Sequence, residues 1–158
     1  MSNLDVVQAW RGWAQENDVF SGDTYPSEES NVDFWFADNG ETANQHLHQF
    51  ASTGDGSLLA IFSQEGNEFT KGPVVFLGSE GDIHVLGADV LSAVAVLALA
   101  GDDVLDSAIS YGPEGEPNSA LTEWVVSQGG NPVKDLLAHI GAATEESKAV
   151  VTFIEAIG

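Results

Sequence analysis

The chain of 158 residues contains no cysteine, which excludes disulfides, thiolate metal sites and thiol nucleophiles. Basic residues are almost as scarce. Arg11, Lys71, Lys134 and Lys148 are the only four, against 25 acidic residues, and the net charge is −21. Phosphate contacts need clustered Lys and Arg, so nucleic-acid binding is not expected, and anionic membranes are disfavoured for the same reason. No apolar run reaches the length of about 18 residues that suggests a membrane span. The most apolar stretch, Val90 to Ala100, reads as a core helix. The opening Met1-Ser-Asn-Leu-Asp5 lacks a basic segment followed by an apolar one, so a cytoplasmic location is expected.

Hydrophobic residues make up 43% of the chain, the composition of a folded protein. The length suits one domain, and no linker, repeat or low-complexity tract divides it, so residues 1–158 read as a single domain. The acids are spread evenly. Residues 1–79 hold 12 acids and 2 bases, a net −10, and residues 80–158 hold 13 acids and 2 bases, a net −11. Two readings of that charge stand side by side. It attracts and steers a basic partner, or it serves solubility and adaptation to a salty cytoplasm.

The periodicity of Leu4, Val7, Trp10, Trp13 and Ala14 predicts a helix over 4–16, with core packing as the plain role of its tryptophans. Residues 18–31 read as a polar loop. Val32 to Ala37 alternates and is aromatic, which predicts a strand. Glu41 to Ala51 reads two ways. Thr42 and Gln45 suit a capping box ahead of Ala43, Leu47 and Phe50 at helical spacing, whereas His46, His48 and Phe50 would share one face of a strand. Leu58–Ser63, Pro73–Leu77 and Ile83–Leu86 are three short strands. The close spacing of these strands and the glycine-rich turns Thr53–Ser57, ahead of the first, and Gly78–Gly81, between the last two, favour an antiparallel meander. Asp89 caps the apolar helix Val90–Ala100, which must be covered on several sides. Helices are expected over Asp102–Ser110, Asn118–Ser127 and Val133–Ile140, and a last one is capped by Thr144.

The groups that carry chemistry elsewhere do not assemble into a motif here. His46 and His48 on one strand face would offer two imidazoles to a metal, but a third ligand, His84 or Asp55, would have to arrive from another segment. Asp102, Asp103 and Asp106 do not form a calcium loop, because the glycine required at its sixth position is Ser107. They are either a negative patch for a cationic partner or a charged first turn that suits the helix dipole. The Gly-x-Ser-x-Gly elbow and the phosphate loop are both absent.

Phe50-Ala-Ser-Thr-Gly-Asp-Gly-Ser-Leu-Leu-Ala-Ile-Phe62, then Pro73-Val-Val-Phe-Leu-Gly-Ser-Glu-Gly81 and the apolar helix after Asp89, resemble the core of the SUKH superfamily. That group includes yeast cell-wall synthesis regulators of the Smi/Knr type and many bacterial immunity proteins. The resemblance covers about 50 of the 158 residues. It implies an α+β fold with a mixed, mostly antiparallel sheet of about five or six strands, an ordinary size. Helices wrap that sheet, the C-terminal half is helical, and His46–Phe50 is favoured as strand. It further implies a binding protein and no enzyme. Bacterial members commonly sit beside genes for secreted toxins, often nucleases, which they neutralise. No catalytic residue, metal or cofactor carries over from the family.

These readings converge on a non-enzymatic protein that meets a basic protein, most simply a toxin domain, through an acidic surface. A regulatory or scaffold module of the same fold, binding an endogenous protein, is the alternative. The residues expected to face the partner are Asp55, Glu80, Asp82, Asp102, Asp103, Asp106, Glu114 and Glu116, chosen for their charge and their place in turns and after the central helix.

Overall fold

Leu58–Phe62 and Val74–Leu77 are apolar at every position, which a strand can be only where both faces of its sheet are covered. The computed structural model describes residues 2–17 and 22–158 and has that architecture. In chain order its elements are α1 (Asn3–Asn17), β1 (Thr24–Pro26), α2 (Val32–Phe36), a single 3-10 turn (Ala37–Asn39), α3 (Gly40–His46), β2 (Leu47–Thr53), β3 (Leu58–Phe62), β4 (Val74–Leu77), β5 (Ile83–Gly87), α4 (Val90–Ala100), α5 (Leu105–Tyr111), α6 (Ser119–Ser127), α7 (Leu136–Glu146) and α8 (Lys148–Ile157). The five strands lie in the order β1-β2-β3-β4-β5, each pair antiparallel. The fold is α+β with a helical C-terminal half, and the sheet is antiparallel throughout.

Alternation along the strands feeds two separate cores. Leu59, Ile61, Val74, Phe76 and Leu86 point to one face, where α1, α4, α5 and α6 pack over them. Leu58, Ala60, Phe62, Val75, Leu77 and Val85 point to the other, beneath α2, α3 and α8. Helix α4 is the centre of the first core, with eight of its eleven residues buried, and Asp89 accepts the Ser92 amide at 2.8 Å to cap it. Phe50 is the extra residue of a bulge in β2, between the pairs Gln49–Ala60 and Ala51–Leu59. The bulge turns its ring toward α1, edge-on to Trp10 at 6.1 Å.

Helix α7 lies along the outer edge of β5. It sends Leu136 and Ile140 into one core and Ala143 toward the other. Its side chains bond two of the strand's outer backbone groups. Thr144 Oγ1 accepts the Val85 amide at 3.0 Å, and His139 donates through Nε2 to the Leu86 carbonyl at 2.8 Å. The opposite edge, β1, is three residues long and ends in Pro26.

Several expectations need correction. Val32–Phe36 is a helix, because Val32 and Phe36 are one helical turn apart and both buried, while Phe34 between them is exposed. Glu41–Ala51 is helix and then strand, with the change at His46–Leu47. The capping box at Thr42 does not form, since α3 starts at Gly40 after Asn39. Thr144 lies inside α7, bonded to β5, and α8 begins at Lys148. The helix expected from Val133 starts at Leu136, with Asp135 as its cap, and runs on to Glu146. The helix expected from Asp102 starts at Leu105. Within the expected loop 18–31, residues 18–21 lie outside the described residues, and Thr24–Pro26 is strand β1.

Candidate functional site

A meander places alternate turns at the same end of the sheet, so β2–β3 and β4–β5 share one end. Both turns are built by glycine. In the first, Gly56 takes φ +93° and its amide reaches the Thr53 carbonyl at 3.1 Å. In the second, Gly81 takes φ +97° and bonds the Gly78 carbonyl at 2.9 Å. The turns are tied together, because the Ser79 amide donates to Ser57 Oγ at 3.0 Å. Helix α2 holds the second turn from below through Trp35 Nε1, which donates to the Gly78 carbonyl at 2.8 Å. Asp23 joins α5 to the same end, since its carbonyl accepts the Gly54 amide at 3.0 Å and its Oδ1 accepts the Leu105 amide at 3.1 Å.

That frame gathers acids distant in sequence. The Asp106 carboxyl is held above its ordinary value, first by partial burial and then by the charges of Asp82, Asp55 and Glu80, with His84 opposing. The four carboxylates thus share one electrostatic field. Asp55 behaves oppositely. Desolvation raises its carboxyl, but the hydrogen bonds from Thr53 and Ser57 outweigh this, and the net shift is downward. Asp82 contacts His84 at 3.1 Å. Among the described residues this is the only ion pair, and no Lys or Arg pairs with any acid.

The other expected residues fall beside this field. Asp103 is half-buried and accepts the amides of Glu114 and Gly115 through Oδ2, at 2.8 and 3.1 Å. It thereby clamps the Gly112–Pro117 loop, with exposed Glu114 on the rim. Asp102 is exposed ahead of α5, and the Glu116 carbonyl packs against Gly101 at the end of α4. Two contributors are not marked by any sequence signal: Asp23, which acts through bonds to the distant backbone at Gly54 and Leu105, and His84, whose partner is Asp82 rather than a metal.

The two histidines proposed as metal ligands do not share a face. His46 ends α3, its Nδ1 bonds the Ser63 carbonyl at 2.8 Å, and its ring packs on Phe153. His48 stands on β2 beside Phe69, and partial desolvation of its ring, followed by the nearby Arg11 charge, lowers its pKa. Among the described residues no three His, Asp or Glu side chains come together as a metal would require.

Two grooves of about 540 Å³ lie elsewhere. One runs along Arg11 and residues Tyr25–Glu29, where Arg11 Nη2 donates to the Ser27 carbonyl at 2.9 Å. The other lies between the starts of α4 and α7. Its Asp89, Asp135 and His139 are each committed to backbone groups, the first two to Ser92 and Ala138 as caps and the third to Leu86. The acidic turn residues Asp55, Glu80, Asp82 and Asp106 line neither groove. Set against family models, curated proteins and solved structures, the chain matches none.

Proposed function

We propose that this chain is a binding protein whose acidic turn end receives a basic protein domain. The observation that carries the reading is the juxtaposition of Asp55, Glu80, Asp82 and Asp106 without a Lys or Arg pairing with any of them among the described residues. Carboxylates in one field repel each other, and a cationic partner relieves that repulsion while gaining steered association. A nuclease presents a basic face to its phosphate substrate, and an acidic protein occupies such a face without catalytic groups. Together with the SUKH-like segment, this makes a bacterial immunity protein that neutralises a nuclease toxin the specific form of the proposal.

The test is co-expression and co-purification with a basic nuclease-toxin domain, taken from a neighbouring gene where one is encoded. Toxicity is expected to be lost, and Glu80→Lys with Asp82→Lys is expected to slow association roughly tenfold or more at low salt. An association rate unchanged by the double reversal would remove the acidic turns from the interface. A pull-down that recovers an endogenous housekeeping protein and no toxin would favour the regulatory alternative.

A further inference from the structure

Helix α5 has an inner and an outer face. Leu105, Ala108 and Ile109 are buried. Outward stand Ser107 and Tyr111, preceded by Val104, and the exposures of Tyr111 and Val104 reach 85% and 44%. Gly112, at φ +89°, turns the chain back so that the following loop, clamped by Asp103, stands opposite the helix. Between them is a cleft of about 250 Å³ lined by Asp103, Val104, Ser107, Ala108, Tyr111 and Glu114. No basic residue lines it. Leu137 of α7, itself 44% exposed, continues the apolar surface next to Gly112.

This combination selects its occupant by chemistry. An exposed aromatic ring beside an apolar wall suits a side chain with an apolar stem. The two carboxylates on the rim demand that the stem end in a cation. A second copy of this chain would bring another −21 charges to the same face, so self-association is opposed. Arginine fits better than lysine, because its planar guanidinium stacks on a ring and presents several donors to carboxylates.

We propose that the α5 cleft is the anchor site for an arginine of the basic protein partner. The stem lies on Val104 and along the outer side of α5 at Ser107, the guanidinium lies over Tyr111, and Glu114 with the unclamped Oδ1 of Asp103 takes its charge. This rests on the acidic-face reading and adds to it the apolar centre that binding surfaces use to concentrate affinity.

The probe is the blocked tripeptide acetyl-Gly-Arg-Gly-amide, titrated into the 15N-labelled full chain, with the norleucine tripeptide as control. Saturable amide shifts at Ser107, Tyr111 and Glu114 are expected from the arginine peptide only. Tyr111→Ala and Tyr111→Leu should each weaken binding about two- to fivefold, the range of an exposed cation–π contact. Glu114→Gln should weaken it as well. Because Tyr111 is exposed, these variants keep the fold, which the remaining amide shifts verify. Shifts confined to the turns bearing Asp55 and Glu80, or binding unaffected by both Tyr111 variants, would overturn the anchor and leave the acidic-face reading in place. No shift at any acidic position would overturn both.

Discussion

Asn3 Oδ1 accepts the backbone amide of Val90 at 3.0 Å, across 87 positions of sequence. The same side chain donates through Nδ2 to the Gly72 carbonyl at 2.9 Å, and Asn3 is only 4% exposed. One amide thus locks the start of α1 onto the start of α4 and the end of the β3–β4 connection. Asn3→Ala would leave a buried donor at Val90 and a half-buried acceptor at Gly72 unpaired. A loss of about 1–3 kcal/mol is expected, read as a lower urea midpoint at unchanged slope.

Gly72 sits beside that lock at φ +116°, with its missing side chain facing the Phe62 carbonyl. Gly72→Ala combines a left-handed backbone with a clash against main chain that cannot swing aside. The expected cost is roughly 1–3 kcal/mol, visible as a lower Tm. A Tm equal to that of the wild type would show that the connection relaxes freely.

Asp106 makes the fold's stability depend on pH in a direction opposite to most carboxylates. Unfolded, the group titrates near 3.8, and folded it titrates higher. Between those values the native chain holds a proton that the unfolded chain has lost, so this group's contribution falls as pH rises. Asp106→Asn removes that loss. Relative to wild type the variant should therefore gain stability from acid toward neutral pH, as measured by urea unfolding at several pH values. A constant difference would exclude the proposed mutual repulsion with Asp55, Glu80 and Asp82.

Salt separates the two readings of the net charge. At about 0.1 M salt the screening length is about 10 Å, so repulsion across the acidic end is damped. If the acids serve binding, the chain stays folded at low ionic strength, and salt weakens its association with a basic protein. If they serve adaptation to salt, the fold itself is lost on dialysis. Circular dichroism across a salt series reads one, and association rates read the other.

The meander and the central helix were legible because local signals agreed. Glycine turns at Gly54–Gly56 and Gly78–Gly81, apolar strands between them and Asp89 before an apolar run all specify the same chain path. Val32–Phe36 is ambiguous in sequence because five residues with apolar groups at both ends satisfy either period, and only the core they enter beneath the sheet, shared with Ala43 of α3 and Ile154 of α8, decides. Thr144 looked like a cap because its hydroxyl suits one, but its actual partner is an amide 59 residues away. The candidate acids were visible as charges in turns. Which of them meet was not visible, since their meeting depends on the Ser57–Ser79 and Asp23–Leu105 bonds between distant segments.

The bonds from Thr144 and His139 to β5 have a consequence beyond stability. A −21 chain is kept from sticking to itself largely by repulsion, and a basic partner would cancel much of that repulsion at the moment of binding. An open strand edge would then become a template for another chain. Among the described residues α7 covers the outer edge of β5 and bonds two of its backbone groups, and β1 is cut short at Pro26, so both edges would be poor templates. Dispersal of such a complex would then rest on the covered edge of β5 and the shortness of β1 rather than on charge.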